Sequence, residues 1–189
     1  MEIDADGCLR HGDGLCFIAS PNCDDRPEST EITLLVIHSI SLPPGKFSGN
    51  GVIELFTNRL DPKAHPYYAT IAGLKVSSHF FIRRNGEIIQ FVPCNKRAWH
   101  AGASHWHGKT QCNDFSIGIE LEGSETTPFT DAQYSALAVL TRCLQQRYPI
   151  TDIAGHADIA PGRKTDPGPH FDWAKYRQLI GNNSYFRML

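Results

Sequence analysis

The stretch "ITLLVIHS", Ile32 to Ser39, is a run of apolar and β-branched residues that ends in polar ones. A strand with one solvated face alternates apolar and polar residues. A run without that alternation reads as a central strand buried on both faces, which requires a packing layer on each side of its sheet. It also carries His38 to the C-terminal edge of that strand.

Working outward, "SSHFFIRR" and "EIIQFVP" flank Asn85-Gly86, a strong short-range hairpin signal, and predict an antiparallel pair. "DFSIGIELEG", Asp114 to Gly123, sets Phe115, Ile117, Ile119 and Leu121 against Ser116, Gly118, Glu120 and Glu122. This reads as a half-buried strand whose exposed face carries two carboxylates. In "TDAQYSALAVLTRCLQQRY", Thr130 and Gln133 form a capping box, and Tyr134, Leu137, Ala138, Thr141, Leu144 and Tyr148 share one helical face. A short strand at "DIAGH" and a closing helix from Asp172 complete the order. The expected fold is α/β, a single domain over 1–189 with a central mixed β-sheet flanked by helices. Residues 40–76 hold short helical pieces between Pro/Gly loops and are the expected lid or rim of a site.

The chain has 189 residues, 41% apolar and 20% charged, with a formal charge of -2. That balance gives no basic excess for nucleic acid or an anionic membrane. The opening "MEIDADGCLRHGDGLCFIAS" is acidic and broken by Gly, unlike a secretory signal, and no stretch reaches the about 18 to 20 apolar residues of a membrane span. Six cysteines lie scattered without CxxC pairs, which favours reduced thiols. A cytoplasmic protein with no nucleic acid or membrane partner is expected, as a monomer.

Chemistry concentrates at strand ends and in "GHADIAPGRKTDPGPHFDW", Gly155 to Trp173, a run too rich in Gly and Pro for a helix or a long strand. His38 and His156 fall at or near strand ends, and Lys164 and Asp166 follow His156 within ten residues. Two histidines and a carboxylate are the donor set of a catalytic zinc that keeps one position open, whereas structural zinc favours cysteine. Glu120 suits a general base, and Lys164, two residues from Asp166, suits oxyanion stabilisation. By residue type alone other readings stand beside these. A strand-end His is commonly structural, Asp166 before Pro167 fits an Asx-type turn, and Glu122 equals Glu120 as a carboxylate. "WHAGASHWHG" places Trp99 and His100 as either a groove wall or a surface loop, with His105 and His107 better read as structural. His11, His65 and His170 are expected to be structural or exposed.

The segments "LLVIHSISLPPGKF", "DPKAHPYY", "VSSHFFIRRNGEIIQFVP", "KRAWHAGASHWHG", "CNDFSIGIELEG", "FTDAQYSAL" and "GHADIAPGRKTDPGPHFDW" together resemble the zinc-dependent N-acetylmuramoyl-L-alanine amidases, the cytosolic AmpD type in particular. The resemblance implies a peptidoglycan-recognition-protein-like fold and one Zn2+ per chain. The implied reaction hydrolyses the amide between 1,6-anhydro-N-acetylmuramic acid and L-alanine, so the implied partner is a small-molecule anhydromuropeptide. It places the zinc ligands on His38, His156 and Asp166, the acid/base on Glu120 and the oxyanion-stabilising cation on Lys164. Substrate contacts fall on Ser39, Lys75, Trp99, His100 and Ala101, while His79 lies near the metal without binding it. Ser39 and Lys75 depart from the Asn and Arg common in the family, and Lys lacks the planar fork that Arg offers a carboxylate. A non-catalytic muropeptide-binding module is the alternative, since recognition proteins share the fold.

Overall fold

The computed structural model describes residues 1–10 and 16–181, so the expectation for His11 lies outside the described residues. A five-stranded sheet forms the centre. Its strands are β1 (Leu34–Ile40), β2 (Phe80–Ile82), β3 (Ile88–Gln90), β4 (Ser116–Glu122) and β5 (Asp152–Gly155). Their order is β5-β1-β4-β2-β3. The pairs β5/β1, β1/β4 and β4/β2 are parallel, and β2/β3 is antiparallel, which makes the sheet mixed as expected.

Alternation along β1 and β4 divides the interior into two layers. Leu35 and Ile37 of β1, with Ile117, Ile119 and Leu121 of β4, face one core beneath helices α3 (Asp131–Arg147) and α5 (Trp173–Ile180). Leu137, Leu140 and Leu144 of α3 and Tyr176 of α5 have no solvent exposure there. Burial of such side chains stabilises the fold by about 1.5–3 kcal/mol each. The α3 start is the expected capping box: Gln133 N–H donates to Thr130 Oγ1 at 3.1 Å, and Thr130 N–H donates to Gln133 Oε1 at 3.1 Å.

The opposite sheet face is covered in two pieces. Short helices α1 (Gly51–Phe56) and α2 (Pro66–Thr70) pack Val52, Phe56 and Tyr68 near Phe81 and Ile89. The chain between Trp99 and Phe115 covers Leu34 and Val36 with Ala101, Trp106 and Cys112. By the same alternation, His38 and Glu120 belong to this second face, away from α3.

Two local expectations are corrected. β4 is buried along its whole length, not half-buried, because its polar face lies under other parts of the chain. Glu122, for example, accepts from Ser48 N–H at 2.6 Å and Arg84 N–H at 3.0 Å. The run after β5 also opens with a four-residue helix, α4 (His156–Ile159), before its prolines begin. The hairpin after β2 turns with only Gly86 at positive φ, 87°. Arg83 N–H donates to Glu87 O at 2.9 Å, so the loop is longer than a two-residue Asn-Gly turn.

Candidate metal centre

Strand register brings the polar residues together. His38 on β1 stands opposite Glu120 on β4, and Gly155 on β5 stands opposite Ile37, so His156 emerges beside His38. All three lie towards the C-terminal ends of parallel strands, where open α/β sheets place ligands. Asp166 arrives by backbone pairing. Ala160 O accepts from the N–H groups of Arg163 and Lys164, both at 3.1 Å, which turns the chain, and Ala157 N–H then donates to Asp166 O at 2.9 Å.

The result is a triangle. His38 Nδ1 lies 2.9 Å from His156 Nδ1 and 3.1 Å from Asp166 Oδ2, and His156 Nδ1 lies 3.2 Å from the same oxygen. The Ala101 carbonyl, 3.1 Å from His156 Nε2, can only accept, so that nitrogen carries the proton and Nδ1 faces Asp166 with a lone pair. A single proton satisfies one pair in such a triangle, whereas a divalent cation satisfies all three atoms. Tetrahedral zinc with bonds of about 2.0–2.2 Å sets its ligand atoms about 3.3–3.6 Å apart, slightly wider than these separations, so the residues fit zinc after a small expansion.

Burial governs the electrostatics. It pushes the pKa of His38 down to about 4, against the pull of the neighbouring Asp166 carboxylate, and leaves the ring neutral near pH 7, as ligation requires. Burial likewise takes His79 and His100 well below the ordinary imidazole range. At Asp166 burial opposes ionisation, but the adjacent His156 and His38 imidazoles outweigh it and keep the carboxyl well below its usual range. Glu120 behaves oppositely. Burial first, then the Asp166 charge, raises its carboxyl well above the usual range, with Lys164 pulling the other way. Glu120 Oε1 is 4.0 Å from His38 Nδ1, and its buried Oε2 has no hydrogen-bond partner among the described residues. An orphaned acceptor costs about 1–3 kcal/mol, which marks this oxygen as one kept for a proton or a reacting group.

A cleft of about 460 Å³ opens over the triangle, bordered by Ser39, His100, Glu120, His156, Lys164 and Asp166. Leu55, Tyr67, Ile71 and Leu74, from the 40–76 segment, form its apolar wall. The other expected contacts lie elsewhere. Lys75 borders an adjoining pocket of about 150 Å³ that shares Leu55, Ile71 and Leu74 with the cleft. Trp99 is partly buried and outside the cleft lining, with its indole close to the Asp24 carboxylate. Ala101 has no exposed surface and offers only its carbonyl. His65 caps α2 by accepting from Tyr67 N–H at 3.1 Å, His107 pairs with Asp152 at 3.5 Å, and His105 and His170 are exposed. His79 is fully buried, where Nδ1 accepts from Gly118 N–H at 3.0 Å and Nε2 donates to Lys96 O at 3.1 Å.

Residues 28–169 match the family described as N-acetylmuramoyl-L-alanine amidase, and a 1,6-anhydro-N-acetylmuramyl-L-alanine amidase AmpD from Citrobacter freundii is 56% identical over 173 residues, 90% of this chain and 92% of that protein. The chain belongs to the N-acetylmuramoyl-L-alanine amidase family. Among solved structures, this amidase is similar to a crystal structure of an Se-Met AmpD derivative, with a TM-score of 0.91, 54% identity and coverage of 96% of this chain and 100% of that one. It is also similar to the N-acetylmuramyl-L-alanine amidase AmiD from E. coli in complex with its substrate anhydro-N-acetylmuramic acid-L-Ala-D-gamma-Glu-L-Lys, with a TM-score of 0.58, 35% identity and coverage of 82% and 60%.

Sequence reasoning passed over two residues that brace the amidase site. Arg163 donates to the Ala101 and Ala103 carbonyls, both at 2.6 Å, and Asn113 Oδ1 accepts from the N–H groups of His100 at 3.1 Å and Ala101 at 2.8 Å. Neither has a spacing signal, because each acts on backbone groups well separated from it in sequence. Gly118 did carry one: a glycine inside a strand marks close approach of another group.

Proposed function

We propose that this amidase hydrolyses the bond joining the lactyl group of 1,6-anhydro-N-acetylmuramic acid to the L-alanine of a stem peptide, with one zinc per chain on His38, His156 and Asp166. The supporting observation is the convergence of three ligand atoms within 4.8 Å of one another beside the unpartnered Glu120 oxygen. When bound, zinc supplies Lewis acidity towards a carbonyl oxygen and makes water more acidic. Glu120 takes the proton of the attacking water and passes it to the leaving L-alanine nitrogen, a role that suits a carboxyl whose pKa burial has raised. Lys164, on the cleft wall, meets the oxygen on which negative charge develops. Leu55, Tyr67 and Leu74 give the cleft an apolar wall on one side.

A muropeptide-binding module has no need of an orphaned carboxylate beside a complete ligand set, so the catalytic reading is preferred. The proposed setting is the cytoplasm, where soluble anhydromuropeptides are degraded during wall recycling, with an indirect effect on β-lactamase induction. Six unpaired thiols suit a reducing compartment, and no helix among the described residues is long and apolar enough to cross a membrane. A monomer is proposed, and sedimentation with and without zinc checks it. Elemental analysis of active protein is expected to give about one zinc per chain, with activity lost to chelator and restored by zinc. Full activity in protein stripped of metal refutes the reading.

A further inference from the structure

His100 borders the cleft, but its ring nitrogens are both engaged inside the protein. The ring lies against β4 at Gly118, where a Cβ would stand 2.5 Å from His100 Cγ. Only a glycine admits the ring there.

The protons along this contact can be assigned from the one group that cannot donate. The Cys112 carbonyl lies 2.5 Å from Ser116 Oγ, so the hydroxyl proton points to it. Ser116 Oγ then faces His100 Nε2 at 3.3 Å as an acceptor, which puts the His100 proton on Nε2. With its proton on Nε2 facing Ser116, the ring has Nδ1 left as its accepting nitrogen. That nitrogen faces His38 Nε2 at 2.9 Å, so His38 donates from Nε2. His38 Nδ1 is left with a lone pair directed at the point it shares with His156 and Asp166.

His156 is served in the same way by the next residue, since Ala101 O accepts from its Nε2. Consecutive residues therefore supply the acceptor behind each ligand imidazole, and Asn113 Oδ1 holds the N–H groups of both. We propose that the His100–Ala101 dipeptide, fixed by Asn113 and by the Ser116–Cys112 relay, is a clamp that sets the tautomer and aim of both ligand histidines. His100 is thus a positioning residue of the metal centre and not a substrate contact. Outer partners of this kind tune affinity because a ring held in one tautomer loses no orientation on binding metal, and donation from the far nitrogen raises its basicity. This assignment rests on the zinc reading above.

The test uses the zinc-loaded protein. Nitrogen NMR is expected to show His100 protonated on Nε2 and a two-bond nitrogen–nitrogen coupling between His38 Nε2 and His100 Nδ1. Chelator competition is expected to show zinc held about 10–100-fold less tightly in His100→Phe, which offers no acceptor. His100→Asn, whose side-chain oxygen takes the place of Nδ1, is expected to recover most of that loss. A His100 proton on Nδ1, or a folded His100→Phe protein that binds zinc as tightly as the parent, overturns the clamp. A parent that binds no zinc overturns the metal reading itself. If His100→Phe does not fold, the coupling in the unaltered protein decides.

Discussion

Glu120 and His38 face each other across the parallel pair β1/β4, and the Glu120 carboxylate stands 4.0 Å from His38 Nδ1. The register that builds the sheet therefore also sets the distance between the proposed acid/base and a metal ligand. Glu120→Gln preserves volume and removes the titrating oxygen. Turnover is expected to fall by about 10²–10⁴-fold, the usual worth of a positioned acid or base, with zinc content unchanged. Steady-state kinetics beside metal analysis checks both, and undiminished turnover removes Glu120 from the proton transfer.

Lys164 is a separate case, because its charge matters only as the carbonyl oxygen becomes anionic. Lys164→Met is expected to lower kcat by about 10²–10³-fold while KM changes far less. A loss confined to KM assigns the ammonium to substrate binding instead.

Gly118 tests the packing behind His100, because its substitution removes no polar group. An added methyl meets His100 Cγ at 2.5 Å and Nδ1 at 2.6 Å, so the ring must move. Gly118→Ala is expected to cost about 1–3 kcal/mol of stability, as overpacking of cores does, and to weaken zinc binding. Denaturation midpoints and chelator competition read the two effects, and a variant equal to the parent in both shows the ring free to shift.

His79 gives a pH dependence whose sign follows from its burial. Burial lowers its folded pKa well below the ordinary value, with nearby Arg26 acting the same way, so the unfolded chain binds a proton that the folded one refuses. The contribution is full above the unfolded pKa of about 6.5 and is lost as pH falls below it. Between pH 7.5 and 5.5, His79→Asn, which keeps an acceptor for Gly118 N–H, is expected to flatten the stability profile. The change approaches one proton, about 1.4 kcal/mol per pH unit at the acid end. Parallel profiles for parent and variant contradict this.

The elements that are local in sequence were legible. The apolar run at Ile32 to Ser39 specified a buried strand, and Thr130 with Gln133 specified the start of α3, because period and capping need only neighbouring residues. β4 misled for a physical reason. Its alternation is real, but the polar face is covered by a loop that places His100 on Gly118, a contact between residues far apart in sequence. The gathering of His38, His156 and Asp166 was open to other readings from residue types alone, since Asp166 reaches the site through the α4 turn and the Ala157–Asp166 backbone bond. Lys75 and Trp99 were placed at the substrate by resemblance, and the fold turns them to an adjoining pocket and to Asp24.

The central claim is the bond that is cut, and product mass spectrometry reads it most directly. Zinc-loaded protein incubated with a 1,6-anhydro-N-acetylmuramyl peptide is expected to release 1,6-anhydro-N-acetylmuramic acid and an intact peptide beginning with L-alanine, their masses together exceeding the substrate by one water. Intact substrate, or cleavage within the peptide or the sugar, contradicts the account.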